Sequence, residues 1–345
     1  MTIPTIGQQT QAQIISAKNF TKLNRFTHFT TPHPPIEQTL SQATSFSGIG
    51  LHSGLPATVR LVPAPSQSGI IFVRSDLATS PRDPAALIPA LYDRVVDTSL
   101  CTVLGNGVGA TVKTIEHLMA ALAVLGIDNL LIEIDGGEIP ILDGSCAELL
   151  KIIAAAGIAT QKSPCRRLVI EKTVSVENQG RRASLAPTKP NQTGLVVDFE
   201  IDFSRHIGQQ SFSYSLDSSH RAQVEFAKEI AAARTFCLEE DIVKLQAMGF
   251  GLGGNLDNAV VIGEAGILNP SGLHYPDEFV RHKVLDAIGD LALAGARIHG
   301  HYRGSKAGHQ MTHLLLCELF RDPSNYRWLE AEPITSHPEI QVNFA

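Results

Sequence analysis

Apolar and polar residues change period several times along the chain, and each change marks an element. Ala57–Thr58–Val59–Arg60–Leu61–Val62 alternates with the two-residue period of a half-buried strand, and Gly69 to Arg74 reads as its neighbour. From Thr114 the apolar residues fall at helical spacing until Gly126, a residue suited to a left-handed helix end. Asn129 to Asp135 returns to a strand, and Asp143–Gly144–Ser145 opens a second helix that runs to Gly157. Ser163–Pro164 marks a domain boundary. Beyond it, Arg167 to Lys172 and Leu195 to Phe203 predict strands, and Ser219 to Ala233 predicts a helix. Asp277 to Gly295 forms a long helix, Arg297 to Tyr302 a strand, and Gly308 to Phe320 a closing helix.

The pattern repeats itself once. Thr114 to Gly126 can be laid without gaps on Lys283 to Gly295, and each segment is followed by a strand and another helix. Two halves of similar topology are expected, each with its helices on a sheet of its own. In that superposition His117 falls on Asp286, which points to a site on the seam between the halves. Ordinary similarity between amphipathic helices is the competing explanation.

Composition narrows the picture. At about 150 residues per domain, 345 residues suggest two domains. With 43% apolar and 18% charged residues the chain can build packed cores. No apolar run is long enough to span a membrane. A net charge of 28 − 34 = −6 argues against a general nucleic-acid binder, which needs surplus Lys and Arg. Five scattered Cys without a CxxC pair fit a reducing compartment and exclude a disulfide framework. Residues 1–36 lack Asp and Glu but carry Lys18, Lys22 and Arg25, so they differ in kind from the body. They are expected to be a disordered extension or, on the sharper reading, an organellar presequence. The expected organisation is that extension, a first α+β domain over 37–164, a second over 165–325, and a C-terminal tail over 326–345.

Several residues could carry chemistry. His282 and Asp286 stand four apart on one helix and project from one face, where an imidazole and a carboxylate can chelate a cation such as zinc. A solvent-side His–Asp contact has the same spacing. Asp290 continues the row among Leu285, Ile288, Ala292 and Leu293, and an acid on an apolar face needs a partner or a metal. His117 offers a third ligand, and Glu116, about 100° further around its helix, lies beside such a metal as a proton acceptor. His309 opens the last helix, where a nearby carboxylate such as Asp290 would raise its proton affinity against the helix dipole.

Seven blocks, read in order, make the chain recognisable: SGIGLHSG from Ser47, TIEHL from Thr114, IPILDGS from Ile139, ARTF from Ala233, GGNLDNA from Gly253, RHKVLDAIGD from Arg281, and Gly308–His309. Together they resemble the UDP-3-O-acyl-N-acetylglucosamine deacetylase family, the zinc amidases of lipid A synthesis, over residues 37 to 320. The resemblance implies an α+β fold made of two similar two-layer sandwiches, with helices packed face to face and the site between them. It implies zinc held by His117, His282 and Asp286, with Glu116 as general base. His309 would be the protonated partner steadied by Asp290, and Thr235 would donate to the developing oxyanion. An inserted βαβ unit around 237–262 would shape an apolar passage for the acyl chain, with Leu238, Leu245 and Met248 in its lining. Core packing explains that stripe nearly as well. Lys283 and Lys306 match positions assigned to sugar and diphosphate contacts, Asp202 and Phe203 match a uracil pocket, and His52 matches a His near the metal.

The resulting expectation is a cytoplasmic, monomeric zinc deacetylase acting on UDP-3-O-acyl-N-acetylglucosamine. It would bind no nucleic acid and have no membrane span, although peripheral membrane association is compatible with an acylated substrate. If residues 1–36 are a presequence, the compartment would be an organellar matrix. The competing readings are a metal-dependent deacylase of another substrate and a non-catalytic regulator of sugar-nucleotide metabolism.

Overall fold

The computed structural model describes residues 35–80, 83–190, 192–203, 207–217 and 219–329. The expected extension falls outside these residues as far as position 34. Two sheets dominate. In the first, the strands run in the order Thr44–Ile49, Pro56–Pro63, Leu130–Ile134, Ile70–Arg74, Leu87–Pro89. The central strand, Leu130–Ile134, is antiparallel to Pro56–Pro63 and parallel to Ile70–Arg74. Both outer pairs are antiparallel. Alternation does what the sequence implied: Ala57, Val59 and Leu61 are buried, while Thr58 and Arg60 between them are exposed.

The second sheet repeats this arrangement. Its strands are Val174–Asn178, Arg181–Ala186, Arg297–Ser305, Leu195–Phe203 and Gly208–Leu216, and each pairing has the same sense as its counterpart. The duplication expected from the helical echo therefore extends to strand order and direction. The second sheet is larger, because Arg167–Ile170 runs parallel to the start of Arg297–Ser305 and Tyr326–Leu329 pairs antiparallel with Arg167–Ile170. This corrects the expected tail from 326: its first four residues are a sheet strand, with Tyr326 and Trp328 partly buried beside Phe320.

Among the described residues, six α-helices accompany the sheets: α1 (Glu116–Leu125), α2 (Ala147–Ala156), α3 (His220–Glu229), α4 (Glu239–Ala247), α5 (Glu278–Leu291) and α6 (His309–Arg321). Helices α2 and α6 lie on their respective sheets, while α1 and α5 pack against each other. The echo holds at helix ends too, since Gly126 and Gly295 both adopt left-handed conformations, with φ of 71° and 70°. Where α1 meets α5 the backbones come close. A Cβ at Gly289 would fall far inside van der Waals contact of the Glu116 carbonyl. Buried side chains from both halves, among them Leu118, Leu122, Val284, Leu285 and Ile288, merge into one apolar core.

Local departures from the sequence reading have local causes. Helix α2 begins at Ala147 and not at Asp143, because Asp143 accepts from the Ser145 backbone N–H and hydroxyl and holds a turn. Helix α3 ends at Glu229. The chain beyond is drawn across to the first half, where the Ala231 carbonyl accepts from Cys146 N–H and Thr235 N–H donates to the Gly144 carbonyl. The boundary near Ser163–Pro164 falls in a strand, Ile158–Pro164, that pairs antiparallel with Ile36–Leu40. The βαβ unit is present: Phe236–Leu238 and Val260–Gly263 are parallel, with α4 between them. No described helix is long and apolar enough to cross a membrane.

Candidate metal centre

His117 lies in the first turn of α1, and His282 and Asp286 lie one turn apart on α5. All three are buried, and one ligand atom from each falls within 4.8 Å of the others. Asp286 Oδ1 stands 3.5 Å from His117 Nε2 and 3.3 Å from His282 Nε2. For a tetrahedral ion with bonds of about 2.0–2.1 Å, neighbouring ligand atoms stand about 3.3–3.4 Å apart. Asp286 Oδ1 is buried and has no hydrogen-bond partner, which a buried carboxylate oxygen does not ordinarily tolerate. These three residues fit a divalent cation.

The surrounding groups orient the ligands. The Ala233 carbonyl lies 3.0 Å from His282 Nδ1, so that nitrogen carries the proton and Nε2 is left with its lone pair toward the centre. Burial pushes the His282 imidazole down to about 3, against the attraction of Asp286, so it is neutral and able to coordinate at ordinary pH. Lys283 donates to Asp286 Oδ2 at 2.6 Å. Burial would raise the Asp286 carboxyl, but the Lys283 ammonium and the charged His309 outweigh it and hold Asp286 well below the ordinary carboxylate range.

Beside this triad sits an acid–base pair. His309 Nδ1 is 2.8 Å from Asp290 Oδ2, and its Nε2 is 3.7 Å from Glu116 Oε1 and 4.0 Å from Asp286 Oδ2. Burial opposes charge on His309, yet the carboxylates of Asp290, Glu116 and Asp286 push it up to about 9. Glu116 is fully enclosed, and burial raises its carboxyl above the ordinary range despite His309 and His117 nearby. A carboxylate with raised proton affinity facing a charged imidazole can move a proton in either direction.

Two of the residues matched to substrate contacts, Phe203 and Lys283, meet at the Phe236 ring. Phe203, 40% exposed, meets Phe236 edge-on at 5.7 Å; Phe236 in turn meets Phe279 and His282, at 5.0 and 6.3 Å. The Lys283 ammonium lies 5.7 Å from the Phe236 ring centre. Lys306 donates to Asp202 at 2.8 Å. Thr235 stands two residues beyond the carbonyl that fixes His282; its backbone is held by Gly144 and Val260. Helix α4 buries none of its residues. Leu238 and Leu245 are half-buried, and Met248 and Val243 are 54% and 78% exposed, so this stripe is not the face of a closed core. After α4, Gly249 and Gly251 have positive φ, and Gly253 packs where a Cβ would collide with the Gly50 carbonyl.

Two residues of the site escaped the sequence reading. Thr102, in the loop before Val103–Gly105, contacts both Glu116 and Asp290. Glu138 is buried and accepts from the backbone of His52 and Ser53 and from the Thr114 hydroxyl. It thereby anchors His52, whose ring lies edge-on to Phe250 at 5.5 Å. Neither stands at a diagnostic spacing, and the IPILDGS block begins at Ile139, one residue past Glu138.

A family model described as UDP-3-O-acyl N-acetylglycosamine deacetylase matches residues 37–321. Relatives named UDP-3-O-acyl-N-acetylglucosamine deacetylase include one from Myxococcus xanthus (strain DK1622), 48% identical over 86% of this chain and 90% of its own. Another, from Geobacter sp. (strain M21), is 43% identical over 86% and 93%. A third, from Actinobacillus pleuropneumoniae serotype 3 (strain JL03), is 40% identical over 88% and 96%.

Proposed function

Because the chain belongs to the UDP-3-O-acyl N-acetylglycosamine deacetylase family, we propose that it hydrolyses the N-acetyl group of UDP-3-O-acyl-N-acetylglucosamine, releasing acetate and the free amine for lipid A synthesis. The observation that carries this reading is the convergence of His117, His282 and Asp286 around an unpartnered carboxylate oxygen. Zinc is the ion favoured by two imidazoles and one carboxylate with room for a further ligand. When bound, it supplies Lewis-acid polarisation of the acetamide carbonyl and a more acidic water.

The chain's own residues do the rest. Glu116 accepts the proton of the attacking water. His309, kept charged by Asp290, stabilises the negative oxygen that develops and returns a proton to the departing nitrogen. Thr235 donates its hydroxyl hydrogen to that oxygen. Lys283 and Lys306 hold the sugar and diphosphate, and Asp202 and Phe203 hold the uracil. Leu238, Leu245 and Met248 lie along the acyl chain, each covered methylene contributing about 0.8 kcal/mol. A monomer is the simplest assembly for this reading, and five free cysteines suit the cytoplasm. The test is metal content measured beside acetate release from the acylated substrate. Protein without zinc, or zinc protein without acetate release, would refute it.

A further inference from the structure

Thr102 is 2% exposed and belongs to the first half, yet its hydroxyl donates to Asp290 Oδ1 on α5 at 2.6 Å. Its backbone N–H donates to Glu116 Oε2 at 3.1 Å. The other oxygen of Asp290 faces His309 Nδ1, and the other oxygen of Glu116 faces His309 Nε2. Thr102, Asp290, His309 and Glu116 thus form a closed ring of contacts, in which each carboxylate gives one oxygen to Thr102 and one to the imidazole.

We propose that Thr102 is a positioning residue for this reaction, fixing the rotation of both carboxylates so that Glu116 and His309 are held in working register. The inference rests on the catalytic reading of Glu116 and His309 given above. A threonine hydroxyl has one hydrogen, and here Asp290 takes it, so Thr102 has nothing left to donate to substrate. A buried hydroxyl that only needed a partner could take a backbone carbonyl, as Thr39 does with that of Asn129. Thr102 instead spends both its donors on the two acids that flank His309. Without the hydroxyl, the Asp290 carboxylate can turn about its own axis, and the His309 ring turns with it. The groups still exist, but they are misplaced for proton transfer, a step sensitive to errors of about 1 Å.

Thr102→Val keeps the side-chain shape and the backbone N–H while removing the hydroxyl, and Thr102→Ser keeps the hydroxyl. For Thr102→Val the expected result is a kcat lowered about ten- to a hundred-fold, as for loss of a hydrogen bond to a charged group. KM and zinc content should be unchanged, and Thr102→Ser should recover most of the loss. Should the valine variant fail to fold, Thr102→Ala removes the same hydroxyl, and its kcat is compared with that of Thr102→Ser. Equal kcat with and without the hydroxyl would overturn the proposal, as would a loss of zinc or a rise in KM that accounts for the whole defect. Glu116→Gln is measured alongside. If it is inactive while Thr102→Val turns over normally, only the role of Thr102 fails; if it turns over normally, the catalytic reading fails as well.

Discussion

Gly289 touches the backbone of Glu116: no side chain larger than hydrogen fits between α5 and the Glu116 carbonyl. This contact sets how closely the two helices that carry the three candidate ligands can approach. Glu116 precedes His117, and Gly289 lies between Asp286 and Asp290, so this tight approach of the halves and the candidate metal centre are one place.

Gly289→Ala should therefore damage the site. Alanine improves intrinsic helix stability by about 1 kcal/mol over glycine. Overpacking costs about 1–3 kcal/mol, and here the obstacle is backbone, which cannot rotate away. The clash should win, lowering the melting temperature and weakening zinc retention. A variant as stable as the parent with full zinc would show that the helices can separate freely.

Ligands and base should separate in metal analysis. His117→Ala, His282→Ala and Asp286→Ala should each lose zinc. Glu116→Ala should retain it while turnover falls by about 10²–10⁴-fold. Zinc lost from the Glu116 variant would make Glu116 a ligand.

The rate should follow a bell in pH. The acid limb belongs to Glu116, whose carboxyl burial raises, so it should lie above the ordinary carboxylate range. The alkaline limb belongs to His309, and His309→Ala should remove or displace it. Stability of the chelator-treated protein tests the same group independently. The His309 imidazole is raised from 6.5 to about 9 on folding, so its contribution is complete below the unfolded value and lost as pH rises through about 9. His309→Ala should flatten that decline in a pH series of thermal melts.

The apolar stripe after Phe236 predicts a substrate-length effect. Because Met248 is 54% exposed, Met248→Glu should change stability by less than about 0.5 kcal/mol. Both it and Leu245→Trp should shift preference among acyl-chain lengths more than they shift activity on a short-chain analogue. Equal losses on long and short chains would remove the stripe from the substrate path.

Much of this was legible in the residues. The echo of Thr114–Gly126 in Lys283–Gly295 placed His117 against Asp286, and the folded chain sets them 3.5 Å apart. Helices and central strands were readable because burial imposes period on them. Edge strands such as Val174–Asn178 and Gly208–Leu216, largely exposed and rich in polar residues, were not. Thr102 was invisible for a different reason: its partners, Glu116 and Asp290, become neighbours only when the two halves meet. Gly289 did carry a signal, since glycine inside a helix implies a close neighbour.

The arrangement of α1 also bears on how the protein is made. Helix α1 is enclosed on nearly every side in the finished molecule, with Leu118, Met119 and Leu122 among its buried residues. One of its walls is α5, which leaves the ribosome later by 286 − 117 = 169 residues, counting from His117 to Asp286. At about 5–20 residues per second, the nascent first half waits on the order of ten seconds or more with that flank uncovered. Throughout that interval Glu116 and His117 remain wet, and the centre cannot close on an ion. A chain stalled before residue 286 would present an uncovered apolar helix and no metal site.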